Sequence, residues 1–265
     1  MLKSIVFKDT HIYYKHIGRG KPVVLLHGFM ESLDVWNEIV EELAKEYQVV
    51  AIDLPGHGKS GNLGQVHTMK LMAQVVLKVI DSLNLEKVVL IGHSMGGYVV
   101  LEFLKNFSHR LAGLVLMHST PFADSKERKV QRDQMILEIK KGKKIKIAKE
   151  HVQRTFAQDN LNKFVRQVGF LKIIAINTSN DGIIAALEGM KERDDNVEVL
   201  RDTSMPFLYI LGAKDNFISL DIKDKISLPK NSEVMILSES GHQGYIEEKE
   251  KVLINIKEFL KKCFK

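Results

Sequence analysis

Ser94 stands between glycines in Gly92-His93-Ser94-Met95-Gly96-Gly97, directly after the apolar run Val88 to Ile91 and at the opening of a helix-like stretch. A hydroxyl lifted out of a sharp strand-to-helix turn needs small neighbours on both sides, because the backbone folds there too tightly for a β-carbon. Gly92 and Gly96 supply them, so Ser94 is the candidate nucleophile. Serine attacks a carbonyl only when a base takes its proton and a third group holds that base in one tautomer. The chain offers both in the order serine, acid, histidine. Asp215 follows an apolar run in Leu211-Gly212-Ala213-Lys214-Asp215, and His242 follows the next run in Ser240-Gly241-His242. Asp221 and Asp224 lie close to Asp215 but inside a helix expected over Leu220 to Ile226, and Asp124 is a further candidate acid.

Acyl transfer also needs donors aimed at the developing oxyanion, each worth about 3 to 4 kcal/mol of barrier in mutational tests. The backbone N–H of Met95 is one candidate. The other is the N–H of Phe29 in His27-Gly28-Phe29-Met30, where Gly28 permits close approach. His27 reads as a brace for that loop. The stretch Asp53-Leu54-Pro55-Gly56-His57-Gly58-Lys59-Ser60 reads as a rigid turn without phosphate-loop spacing. Its His and Asp residues form no ligand set of established spacing, so no metal or other cofactor is expected. Trp36 sits on the core face of its helix. Candidate apolar lining for a substrate is Phe29, Met95, Phe122, Phe156, Met190 and Phe217.

These residues need a scaffold that gathers them. Ser4 to Phe7 and Ile12 to Tyr14 read as a hairpin turning at Asp9-Thr10. Short apolar runs then alternate with amphipathic stretches: Val23 to Leu26, Val49 to Ile52, Val88 to Ile91, Leu114 to Met117, Phe207 to Leu211 and Val234 to Leu237. Their length and β-branched content fit strands covered on both faces. Helical periods fall between them at Val35 to Leu43, Leu71 to Leu83, Val99 to Leu104 and Val252 to Leu260. The pattern predicts an α/β fold with a mostly parallel, doubly wound sheet, whose ligands bind at the carboxyl ends of the strands. From 121 to 203 the strand signals stop, and helices are expected over Glu127 to Lys140, Ile145 to Phe156, Leu161 to Thr178 and Gly182 to Arg193. The expected organisation is a core of residues 1–120 and 204–265 with a helical cap of residues 121–203.

With 265 residues, 45% hydrophobic and 27% charged, the chain suits one sizeable core and neither a disordered nor a fibrous class. No run approaches the roughly 18 apolar residues of a membrane span, and the N-terminus lacks a basic-then-apolar leader pattern. The lone Cys263 has no partner for an intrachain disulfide. A cytoplasmic location with no integral membrane association is therefore expected. Much of the net charge of +6 comes from Lys140 to Lys149, read as a solvated helix face or else a docking site for acidic substrates. That run carries no interleaved aromatics, which argues against nucleic acid as a partner.

Taken together, the motifs closely resemble the α/β-hydrolase superfamily along nearly the whole chain. His27-Gly28-Phe29 is similar to its oxyanion loop, Asp53 to Ser60 to its D-x-P-G-x-G-x-S turn, Gly92 to Gly97 to its nucleophile elbow, and Asp215 and His242 to the remaining triad. A serine at position 94 sets the chain apart from the aspartate-nucleophile branch of epoxide hydrolases and haloalkane dehalogenases. Gly-His-Ser-Met-Gly-Gly is similar to carboxylesterases and monoacylglycerol lipases. The resemblance implies a serine hydrolase acting on a small-molecule ester of a small to medium acyl group through an acyl-enzyme, without cofactor or metal. A lactonase or C–C bond hydrolase using the same three residues is the first alternative, and a hydrolase-fold small-molecule sensor with little turnover is the second. Physiological substrate and oligomeric state stay open.

Overall fold

The structure, a computed structural model, describes residues 2–265. Eight strands form one sheet: β1 (Leu2–Phe7), β2 (Thr10–Ile17), β3 (Pro22–Leu26), β4 (Gln48–Ile52), β5 (Val88–His93), β6 (Leu111–Met117), β7 (Phe207–Gly212) and β8 (Ser232–Leu237). Their order across the sheet is β1-β2-β4-β3-β5-β6-β7-β8. The pairings of β2 with β1 and β4 are antiparallel, and from β4 to β8 every pairing is parallel.

Eleven helices connect and cover the sheet: α1 (Asn37–Leu43), α2 (Met69–Ser82), α3 (Met95–Phe107), α4 (Lys126–Lys140), α5 (Lys144–Thr155), α6 (Val165–Asn177), α7 (Asn180–Lys191), α8 (Val197–Arg201), α9 (Ile222–Lys225), α10 (Gly244–Glu247) and α11 (Lys249–Cys263). Side-chain caps start several of them, as the sequence chemistry dictates. Thr68 accepts from Leu71 N–H, Ser125 from Arg128 N–H and Ser179 from Gly182 N–H. Helix α3 packs against α2, α8, β5 and β6, while α11 packs against α1 and also reaches β6. The central strands are accordingly buried along almost their whole length.

Two expectations change. The hairpin turns at Lys8-Asp9, not Asp9-Thr10, because both residues take positive φ (46° and 62°) and so make a two-residue turn whose twist matches the strands. Strand β8 is covered on one face only. It pairs with β7 alone, and Val234 and Ile236 are exposed at 40% and 46%. The lysine-rich run straddles two helices, as expected: Gly142, at φ 81°, lies between α4 and α5, with Lys140, Lys141, Lys143, Lys146 and Lys149 all exposed.

Register explains where reactive residues can meet. Leu26 pairs with Gly92, His93 with Met117, Met117 with Ile210, and Gly212 with Leu237. The chain therefore leaves β3, β5, β6, β7 and β8 at one level, and the loops after them emerge side by side. Between β6 and β7 the chain makes α4 to α8, so the longest excursion of the fold starts and returns beside those loops. Among the described residues no single helix is long and apolar enough to cross a membrane.

Candidate active site

Ser94 follows β5 and precedes α3 in a strained conformation, φ 49° and ψ −113°. A non-glycine residue at positive φ must be held there by its surroundings. Ser94 N–H donates to Met117 O at 2.9 Å, and its carbonyl accepts from Gly97 N–H (2.9 Å) and the Ser119 hydroxyl (2.8 Å). A β-carbon on Gly92 would meet the Gly96 backbone, and one on Gly96 the Leu26 backbone. Ser94 is partly exposed although residues 88–93 and 95–104 are buried, so the turn presents this one side chain.

Asp215 lies in the loop after β7 with its side chain 1% exposed. Its Oδ1 accepts from Phe217 N–H (2.8 Å) and Ile218 N–H (3.1 Å), while Oδ2 receives His242 Nδ1 at 2.8 Å and His118 Nδ1 at 3.1 Å. Burial, the largest single influence, disfavours the ionised form. The two histidines and the hydrogen bonds outweigh it and hold this carboxyl far below the usual carboxylate range. The other acids sit elsewhere. Asp221 and Asp224 are exposed and paired with Lys225 and Lys223, and Asp124 is held by Arg132 and by Arg193 Nη1, the latter at 2.6 Å.

His242 is fixed through its backbone as well as its ring. Its N–H donates to Thr155 O at the end of α5 (2.6 Å), and its carbonyl accepts from His93 Nε2 (2.8 Å). The Phe217 ring lies 5.0 Å from the imidazole. Ser94 and His242 line one cavity of about 440 Å³, roofed by α4, α5 and α7. No hydrogen bond joins the two side chains among the described residues. Such contacts are often long before substrate binds.

His118 Nε2 accepts Gly244 N–H at 3.2 Å, so the ring proton is on Nδ1 and points at Asp215. Burial pushes this histidine down to about 4. Ligand atoms of His118, Asp215 and His242 converge within 4.8 Å, a spacing a metal could use. With Nδ1 protonated, however, His118 is a hydrogen-bond donor there and not a ligand.

The loop after β3 is braced from two sides. His27 Nε2 accepts Leu54 N–H (2.9 Å), so its Nδ1–H donates to Gly28 O (2.7 Å). Glu31, buried, takes Gly28 N–H (2.7 Å) and His93 Nδ1 (3.0 Å) on Oε2, and Gln243 Nε2 (3.0 Å) on Oε1. Both His93 nitrogens thus face acceptors only, Glu31 Oε2 and His242 O, which makes the ring an imidazolium. Burial opposes that charge most strongly, but Glu31 outweighs it and raises the histidine above its ordinary value. The Phe29 and Met95 N–H groups have no partner among the hydrogen bonds of the described residues. Asp53 accepts Leu33 N–H (2.7 Å) and Lys59 N–H (2.9 Å), which makes its turn a closed structural device.

Of the expected lining residues, Phe29, Met190 and Phe217 border the cavity. Met95, Phe122 and Phe156 do not. Met95 turns into the core at 0% exposure and Phe156 is 1% exposed. Phe122 packs on the core, and its carbonyl accepts from Arg193 Nε. The sequence reading missed Glu31, His93, His118 and Glu247, the last accepting Gly241, Gln243 and Ala157 N–H groups beneath the His242 loop. Adjacency was the available signal: Glu31 is three residues past Gly28, His93 precedes the serine, and His118 follows an apolar run.

A family model described as the alpha/beta hydrolase fold matches residues 21–249. The chain belongs to the α/β-hydrolase family. Its similarity to curated members is spread along the chain. It is 30% identical over 92% of its length to the dihydrolipoyllysine-residue acetyltransferase component of the acetoin cleaving system of Pseudomonas putida, of which it spans only 64%. It is 28% identical to the AB hydrolase superfamily protein YisY of Bacillus subtilis, with 94% of each chain covered. Among solved structures, a thermophilic esterase from Thermogutta terrifontis with malate bound superposes with a TM-score of 0.94 at 29% identity, covering 99% of each chain.

Proposed function

We propose that the protein is a serine hydrolase that cleaves carboxylic esters of small to medium acyl groups through an acyl-enzyme. The observation that carries this reading is a single constellation. A strained, partly exposed serine shares a cavity with a histidine whose far nitrogen is bonded at 2.8 Å to a buried, ionised aspartate. The similarity at 29% identity to an esterase along the whole chain supports it.

In this reading Ser94 Oγ attacks the ester carbonyl as His242 Nε2 takes its proton. Asp215 keeps the histidine proton on Nδ1 and stabilises the imidazolium that forms. The free N–H groups of Phe29 and Met95 receive the oxyanion, which the buried Glu31–His93 pair keeps in place by fixing Gly28. His242 returns the proton to the departing alcohol, and water repeats the cycle to release the acid. The inserted helices serve as a cap, and Phe29, Leu187, Met190, Phe217 and Ile218 give the cavity apolar walls suited to an acyl chain of limited size.

A fluorophosphonate should label the wild type at Ser94, and Ser94→Ala should lose both the label and at least about 10⁴-fold of p-nitrophenyl ester hydrolysis. An unlabelled wild type, or equal labelling of the alanine variant, would overturn the assignment.

A further inference from the structure

The cap side of the cavity carries more positive charge than it neutralises. Arg128, Arg132 and Arg154 all line it. Arg132 is engaged, sharing Asp124 with Arg193. The two acids at the rim are engaged as well, Glu138 with Lys143 at 2.6 Å and Glu150 with Lys146 at 3.8 Å. Neither Arg128 nor Arg154 has a carboxylate within ion-pair distance among the described residues. The one side-chain hydrogen bond of Arg128 goes to Gln131 at 3.2 Å.

Both free guanidiniums are directed to one place. Phe217 lies against the His242 ring, and the Arg128 and Arg154 guanidinium carbons stand 5.9 and 5.2 Å from the centre of the same phenyl ring. They reach it from different helices, α4 and α5. Between Phe217 and Phe29 sits His151, with ring distances of 5.4 and 5.6 Å and no side-chain hydrogen-bond partner among the described residues. Arg128 is half-buried, where a guanidinium without a counter-charge is costly, and with the exposed Arg154 beside the same phenyl ring it forms a fork suited to a carboxylate.

We propose that the substrate is an ester bearing a second, ionised carboxyl group, held between Arg128 and Arg154 with His151 as a neutral donor, while the scissile carbonyl lies at Ser94. Water adds to the acyl carbon, the ester C–O bond breaks, the alcohol leaves with the proton from His242, and a carboxylate is released. This rests on the ester-hydrolase reading above and names its substrate class. The exposed lysines of α5, Lys146 and Lys149, the first place to look for an acid-binding face, do not line the cavity.

The test compares charged and neutral esters of equal length in either orientation: p-nitrophenyl hydrogen adipate against p-nitrophenyl hexanoate, and a carboxyphenyl butyrate against phenyl butyrate. At low salt at least one charged ester should exceed its neutral partner about tenfold in kcat/KM, mostly through KM, and the preference should shrink as salt is added. Arg154→Gln, at an exposed position that tolerates substitution, should lower the charged-to-neutral ratio about tenfold, Arg154→Lys should restore part of it, and Arg154→Glu should invert it. Arg128→Gln should act in the same direction. Turnover of neutral esters with no preference for either charged partner, or ratios indifferent to Arg154, would overturn the carboxylate site while leaving the ester-hydrolase reading intact. Absence of both ester turnover and Ser94 labelling would bring down both.

Discussion

Below the cavity floor the buried carboxylates are fully engaged, whereas the helices above it leave two guanidiniums without a counter-charge. Asp215, Glu31 and Glu247 are buried carboxylates that together take bonds from five backbone N–H groups in the loops after β3, β7 and β8, four histidine or glutamine side chains, and the insert at Ala157. Across the cavity, Arg128, His151 and Arg154 have one side-chain hydrogen bond between them among the described residues. The floor is a preorganised network in which each group fixes its neighbours. The roof keeps capacity in reserve for something that is not protein. Reaction type and substrate choice are thereby assigned to different layers of the fold, and altering one should leave the other's signature readable.

The strongest way to break this division is at the floor. Asp215→Asn should lower kcat/KM toward esters by about 10⁴-fold with little change in the fold, because an amide no longer favours the proton on Nδ1 of His242. A loss under tenfold would mean that the histidine is oriented mainly by its backbone bonds to Thr155 and His93.

Next in size is Glu31→Gln, which strands a buried imidazolium and should cost about 3–5 kcal/mol in chemical denaturation. The pH dependence has two opposite limbs. Glu31 is held far below the ordinary carboxyl range by His93, despite burial, so its contribution is present above about pH 4.3 and fades as pH falls. His93 is raised, so its contribution is complete below about pH 6.5 and fades as pH rises through the raised value. The gap between wild type and variant should be widest between those limits. A gap that keeps growing toward acid pH would contradict the pairing.

The same contrast governs what the residues disclosed before any coordinates. Ser94, Asp215 and His242 were legible because a tight turn requires glycines in sequence and because each follows an apolar run, which in a parallel sheet places it at a strand end. Glu31 and His93 were not, since their meaning arises across 62 residues of separation and only after β3 and β5 align. Met95 and Phe156 were misplaced for a related reason. Apolar residues next to reactive ones look like pocket walls, yet the helix phase of α3 and the end of α5 turn both inward. The arginines of α4 and α5 were illegible because these helices carry so many cations that the two without a counter-charge emerge only from packing.

Smaller effects should come from the seam between the layers. On α7, a β-carbon at Gly182 would strike the Gly56 backbone and one at Gly189 the His67 carbonyl. Gly189→Ala should therefore cost about 1–3 kcal/mol through forced displacement. Because Leu187 and Met190 on the same helix line the cavity, it should also change the preference for acyl length. Lost stability with an unchanged chain-length profile would show that the cap moves as a unit without altering the cavity.

The smallest effect tests whether the outer surface of α6, which packs on the roof helix α5, is as uncommitted as the roof's lining. Val165 and Ile173 on α6 are 62% and 61% exposed. Substitution of an exposed side chain away from caps, charges and core contacts usually shifts stability within about 0.5 kcal/mol. Ile173→Ser should fall in that range, measured by urea denaturation, and should leave the charged-to-neutral ester ratio unmoved because the residue lies outside the cavity. A loss above about 1 kcal/mol would mean that this face is covered in solution, and the cap would then belong, like the floor, to a packed interior.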